Sequence, residues 1–140
     1  MILLDAYAVI ALLGAERSGE QVRDLMREEP SGIGVVQLSE TVDVLSRRYR
    51  VAPERTRAAV RTLGHAGLSV LALDEPTAWR AGETRARLYH RARTPLSLAD
   101  CVLLASASPD DRVATADRHL VAAAESQGTA TVSLGPASSA

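Results

Sequence analysis

Ile2, Leu3 and Leu4 form an unbroken apolar run near the start of the chain. That is the pattern of a strand covered on both faces of a parallel sheet. Ala6–Leu13 continues in helix-forming residues and stops near Gly14. Ser18–Glu29 sets Val22, Leu25 and Met26 at helical spacing, and Pro30-Ser31-Gly32 ends it. Ile33–Val36 is a second short apolar run and predicts a second strand. Gln37–Tyr49 follows as a helix with Leu38, Val42 and Leu45 on one stripe. Pro53 suits the first turn of the next helix, which runs to about Leu63 before His65-Ala66-Gly67 closes it.

Leu68–Leu73 predicts a third strand, and Pro76 opens a long helix to about Arg91 that Thr94-Pro95 breaks. Ser97–Ser106 is a further helix with Ser97 at its N-cap. Val113–Thr115 reads as the fourth strand, Asp117–Ser126 as the helix after it, and Thr129–Leu134 as the fifth strand. Strands alternating with helices imply an α/β fold with a central parallel five-stranded sheet flanked by helices on both faces. One domain over residues 1–134 is expected, followed by a flexible tail of small and polar residues from Gly135 to Ala140.

Composition narrows the class. Apolar residues make up 46% of the 140 positions and charged residues 24%, enough for a core and too balanced for a disordered chain. No apolar run is long enough to cross a bilayer, and Asp5 interrupts the apolar opening without a basic leader region, so no membrane association and a cytoplasmic location are expected. The single cysteine, Cys101, excludes an internal disulfide and a cysteine-rich zinc site. Net charge is −1 and does not decide for or against a nucleic-acid partner. All 16 basic residues are arginine. They gather at Arg47, Arg48, Arg50, Arg55, Arg57 and Arg61, and again from Arg80 to Arg93. Guanidinium groups suit phosphate forks, although a compositional bias accounts for most of these positions equally well.

Ligands of an open parallel sheet bind beyond the carboxyl ends of its strands. Asp5 directly follows the first predicted strand, and Asp117 closely follows the fourth. Glu40 falls in the first turn of the helix after the second strand, and Asp100 in the first turn of its own helix. Four carboxylates brought to one edge raise each other's proton affinity, so keeping them ionised calls for a cation. Hard oxygen donors suit Mg²⁺ or Mn²⁺, ions that can activate water and stabilise charge during phosphodiester cleavage.

Each acid also has a plain structural reading. Asp100 with Ser97 spells a capping box, Glu40 sits well near a helix N-terminus, and Asp117 is a natural N-cap. Asp5 is the hardest to explain that way, because an unpaired carboxylate in an apolar run is costly. Asp43 reads as a surface acid, and Cys101 as a buried thiol with no histidine beside it. Thr115 either steadies a water near Asp117 or fills a strand position. Tyr7 and Trp79 offer rings for a base, but with 3% aromatics packing is the reading taken.

Four segments together resemble the motifs of PIN-domain nucleases: Ile2-Leu3-Leu4-Asp5-Ala6-Tyr7-Ala8-Val9, Leu38-Ser39-Glu40-Thr41-Val42, Leu96-Ser97-Leu98-Ala99-Asp100-Cys101-Val102-Leu103 and Ala114-Thr115-Ala116-Asp117-Arg118-His119. Order, spacing and length match over nearly the whole chain. The resemblance implies a PIN fold and a Mg²⁺- or Mn²⁺-dependent endoribonuclease, with Asp5, Glu40, Asp100 and Asp117 as the metal-binding acids. The size is most similar to the toxin of a VapC-type toxin–antitoxin pair, which implies an RNA substrate, a homodimer and a cognate antitoxin that blocks the acidic site. Ala6 stands where many members carry Ser or Thr, and His119 where many carry another acid. Those departures imply a thinner metal shell.

Two other readings compete. A receiver-type phosphoacceptor needs a lysine at its phosphoryl group, and this chain has none. A catalytically silent PIN-like module that binds RNA or protein is disfavoured because all four acids are present. No glycine-rich nucleotide fingerprint or P-loop follows the first strand.

Overall fold

A computed structural model describes residues 1–15 and 17–135 of the chain. The tail expected after residue 134 lies outside the described residues from 136 onward. Gly135 itself is held: its carbonyl accepts from Ser18 Oγ at 2.9 Å and Tyr7 Oη at 3.2 Å, and its N–H donates to Gln21 Oε1.

Five strands form one parallel sheet: β1 (Ile2–Leu4), β2 (Ser31–Gly34), β3 (Leu68–Leu71), β4 (Arg112–Thr115) and β5 (Ala130–Ser133). Their order is β3-β2-β1-β4-β5. Ile2 pairs with Ser31 on one side and Arg112 on the other, so β1 is the central strand. The chain steps outward from β1 in one direction to β2 and β3, and in the other direction to β4 and β5. The reversal lies between β1 and β4, the position at which an open sheet opens a crevice at its carboxyl edge.

The helices are α1 (Ala6–Ile10), α2 (Gly19–Glu28), α3 (Val35–Tyr49), α4 (Pro53–His65), α5 (Glu75–Leu88), α6 (Leu98–Ser106) and α7 (Arg118–Ser126). Because side chains alternate along a strand, β1 feeds two cores. Leu3 joins Val113 and residues of α5, α6 and α7, including Ala81, Leu103 and Leu120. Ile2 and Leu4 join Ile33, Ala114, Val9, Val22 and Leu12 on the opposite face. Each fully buried aliphatic side chain contributes about 1.5–3 kcal/mol, and the three residues of β1 supply both layers. Among the described residues no helix is long and apolar enough to cross a membrane.

The sheet and its flanking helices are as expected, and five local readings are corrected. The run Ile33–Val36 is not all strand: β2 ends at Gly34, whose extended backbone starts α3 at Val35. Glu40 is therefore in the second turn of α3, not the first. The innermost line of α3 is Gln37, Thr41 and Leu45, with Leu38 and Val42 only half-buried beside it. α5 stops at Leu88 because His90 and Thr94 exchange backbone hydrogen bonds of 3.0 and 2.9 Å in a tight hairpin ahead of Pro95. Trp79 on α5 is not packed away but 67% exposed.

Between α1 and α2 the chain loosens into a wider turn over Ala11–Ala15, with Gly14 at φ 96°. Gly19 crosses this turn so closely that a Cβ there would lie 2.4 Å from the Ala11 carbonyl oxygen. A backbone atom cannot step aside as a side chain can. Gly19→Ala is expected to cost about 1–3 kcal/mol, read as a lower Tm. An unchanged Tm would show that α2 has room to move.

Candidate active site

The switch in strand order brings Asp5 and Asp117 to the same edge. Asp5 is the first residue past β1, and its N–H donates to the Ala114 carbonyl of β4 at 3.3 Å. Its Oδ1 accepts the Ala8 N–H at 2.7 Å and so caps α1. Asp117 caps α7 in the same manner, accepting the His119 N–H at 2.7 Å. Thr115, fully buried at the end of β4, links the two. Its Oγ1 accepts the Asp117 N–H at 3.0 Å, and its hydroxyl hydrogen bond to the Asp5 carboxylate favours the ionised form. Of the two readings left open for Thr115, the strand position is observed, and its hydroxyl also organises the Asp117 turn.

Asp100 enters from α6. Its backbone N–H donates to Ser97 Oγ at 3.0 Å, and its Oδ2 accepts the Ser97 N–H at 2.8 Å. The capping box is complete and leaves the carboxyl group fixed at the helix start. Glu40 is exposed on α3 and free of the helix-dipole reading, since it lies past the first turn.

Electrostatics join three of the acids. The Asp5 carboxyl is pushed up to about 6, first by desolvation and then by the charges of Asp100 and Glu40, against the hydrogen bonds of Thr115 and Ala8. Glu40 is also raised, by desolvation and by Asp100 and then Asp43. The causes acting on both groups include no guanidinium or imidazolium. Asp43 is held below its usual range by a two-pronged contact with Arg47, at 2.8 and 2.6 Å. It is a surface ion pair, as its sequence setting suggests. Burial raises the Cys101 thiol, which keeps it protonated and inert.

The donor set is all carboxylate and hydroxyl oxygen, and among the described residues no cation is a cause of the shifts at Asp5 or Glu40, chemistry that fits Mg²⁺ or Mn²⁺. Among the described residues, however, no group of three or more Asp, Glu, His or Cys side chains is drawn close enough to enclose an ion. Asp5, Glu40 and Asp100 share a field, Asp117 stands at the same sheet edge without acting on them, and Asp5, Asp100 and Asp117 each commit an oxygen to a helix end. Gln37 belongs to the same region and escaped the sequence reading. Its Nε2 donates to the Ala99 carbonyl at 2.7 Å, beside Asp100. A polar residue inside the otherwise apolar stretch Val35-Val36-Gln37-Leu38 was the available signal.

An acid whose carboxyl is raised on folding binds a proton in the native state that the unfolded chain has released. The contribution of Asp5 to stability is therefore greatest below the unfolded value of 3.8 and declines as pH rises toward about 6. The ionised Asp5 costs on the order of 3 kcal/mol at neutral pH. Asp5→Asn keeps an amide oxygen for the Ala8 cap and removes the charge. It is expected to raise Tm by several degrees near neutral pH and to flatten the decline across that window. Denaturation curves from mildly acidic to neutral pH check this, and an Asn variant no more stable than the parent at neutrality would refute it.

The PIN-domain family model matches residues 2–125. No curated protein sequence matches the chain. Among solved structures, a chain of DNA-bound VapBC from Salmonella typhimurium shares 23% identity at a TM-score of 0.67, covering 94% of this chain and 96% of that one. VapBC-1 from nontypeable Haemophilus influenzae shares 17% at a TM-score of 0.67, covering 95% and 98%. VapC20 from Mycobacterium tuberculosis, a sarcin–ricin-loop-cleaving toxin, shares 18% at a TM-score of 0.55, covering 75% and 79%. Identities this low speak for the fold, and the strand order built around β1 is the fold they share. With one family model accounting for most of its length, the chain belongs to the PIN-domain family.

Proposed function

We propose that this chain is a divalent-metal-dependent endoribonuclease, the toxin of a type II toxin–antitoxin pair. The observation that carries the reading is the shared field of Asp5, Glu40 and Asp100 at the switch point of a PIN-domain sheet, with no protein cation opposing it on Asp5 or Glu40. Asp5, Glu40, Asp100 and Asp117 would hold Mg²⁺ or Mn²⁺. When bound, such an ion polarises a phosphoryl oxygen and lowers the pKa of a water.

The chain's own residues set the stage for that chemistry. Thr115 ties Asp5 to the Asp117 turn. The Ser97 box fixes the Asp100 carboxyl relative to the α6 axis. Glu40 is exposed at the rim and can meet substrate. Burial and the charge of Asp100 raise its proton affinity. An unpaired or looped RNA segment is the proposed substrate form, because its bases are unstacked and can be read, whereas a duplex buries its base edges in a deep, narrow groove.

A cognate antitoxin is the proposed protein partner, since the VapBC structures the chain resembles hold a toxin with its antitoxin. A homodimer is the proposed assembly. On α5, Ala78, Trp79, Gly82 and Ala86 line a shallow apolar groove. The helix begins with the acids Asp74 and Glu75 and ends with Arg85 and Arg87, so two copies packed antiparallel set opposite charges together. The proposed domain covers 1–134, and the proposed location is the cytoplasm, where RNA is met.

Purified protein is incubated with structured RNA and Mn²⁺, with and without EDTA, beside Asp5→Asn and Asp100→Asn. Cleavage is expected with Mn²⁺ alone, and each variant is expected to lose at least about 100-fold in rate. Cleavage that persists in EDTA or in either variant would remove the metal mechanism. No cleavage of any RNA would favour a silent binding module. For the assembly, Trp79→Asp is expected to convert a dimer into a monomer by sedimentation analysis, and a parent protein already monomeric at tens of micromolar would contradict the dimer.

A further inference from the structure

α3 places an amide on its innermost line. Gln37 is 2% exposed, between the half-buried Val36 and Leu38 and one turn from the fully buried Thr41. Its Nε2 makes the bond to Ala99 on α6, and its Oε1 is buried with no hydrogen-bond partner among the described residues. An unpaired buried acceptor costs about 1–3 kcal/mol, while one ordinary hydrogen bond contributes roughly 1. For stability alone, a leucine of similar volume would serve as well. What the amide contributes is placement.

Ala99 immediately precedes Asp100, and Gln37 lies one turn before Glu40 on a neighbouring helix position. The bond therefore ties α3 to α6 at the level of both acids. It acts against a real force, since Glu40 and Asp100 repel each other. Gly34 makes the arrangement possible: a Cβ at that position would lie 2.5 Å from Gln37 Oε1 and displace the amide.

We infer that Gln37 is a positioning residue whose amide, seated against Gly34, holds Glu40 and Asp100 at the separation from which they grip a divalent cation. The inference rests on the metal-dependent reading of the site, and separate measurements distinguish the failure of one from the failure of the other. The parent, Gln37→Leu and Gly34→Ala are compared for Mn²⁺ affinity by electron paramagnetic resonance. The same proteins, without metal, are compared for amide hydrogen exchange at Ala99, Asp100 and Cys101.

Gln37→Leu is expected to bind Mn²⁺ about 10- to 100-fold more weakly, to exchange faster at those amides, and to regain its cleavage rate at saturating Mn²⁺. Gly34→Ala is expected to shift the same quantities in the same direction by less. It carries the comparison alone if the leucine variant does not fold. A parent that binds Mn²⁺ and variants that bind it equally well would overturn the inference. A parent that binds no Mn²⁺ would instead sink the metal reading. In that case unchanged exchange in the variants refutes the tie as well, and faster exchange sustains the tie without its metal role.

Discussion

A carboxylate at the mouth of the central strand is held in place at an energetic cost. Asp5 follows three fully buried aliphatic residues, and its own ionisation is opposed by desolvation and by two neighbouring acids. What keeps it there is local and specific: the Ala8 amide, the Thr115 hydroxyl and the backbone bond to Ala114. These contacts come from two pieces of chain, the start of α1 and the end of β4. The burial of β1 on both faces supplies the stability that offsets the cost. A site can afford a destabilised group only where the surrounding structure over-determines its position.

The same logic extends to the other acids. Asp100 and Asp117 each give one oxygen to a helix end, so a cap and a proposed metal ligand fall on a single side chain. This economy explains why such residues pass for ordinary caps in isolation. It also explains how Asp5, Glu40 and Asp100 feel one another without closing into a ready-made cage among the described residues. The ties that set their spacing are Thr115 between two strand ends and Gln37 between two helices.

Much of this was legible in the sequence because burial and charge conflict openly there. A lone aspartate after Ile2-Leu3-Leu4 advertises itself, and alternating strand and helix patterns gave the sheet. The carboxyl-edge rule then pointed to Asp5 and Asp117. What stayed hidden had no periodic signature. Val35 and Val36 are β-branched and read as strand, yet the extended Gly34 lets a helix begin with them. Gln37 and Thr41 line a buried helix face with polar atoms, which hydrophobic spacing cannot register. The exposure of Trp79 is likewise a matter of tertiary placement, since a lone ring in a helix of small residues carries no mark of the side it faces.

The strand order has a kinetic corollary. β1 pairs with β2 through Ile2 and Ser31, a modest loop, but with β4 through Ile2 and Arg112, nearly the length of the chain. Contacts that span so much sequence form late, because the intervening loop must lose its entropy first. A nascent chain that has built β1, β2 and β3 carries Asp5 and Glu40 but neither Thr115 nor Asp117. An unfinished chain therefore lacks the second half of the edge at which Asp5 stands.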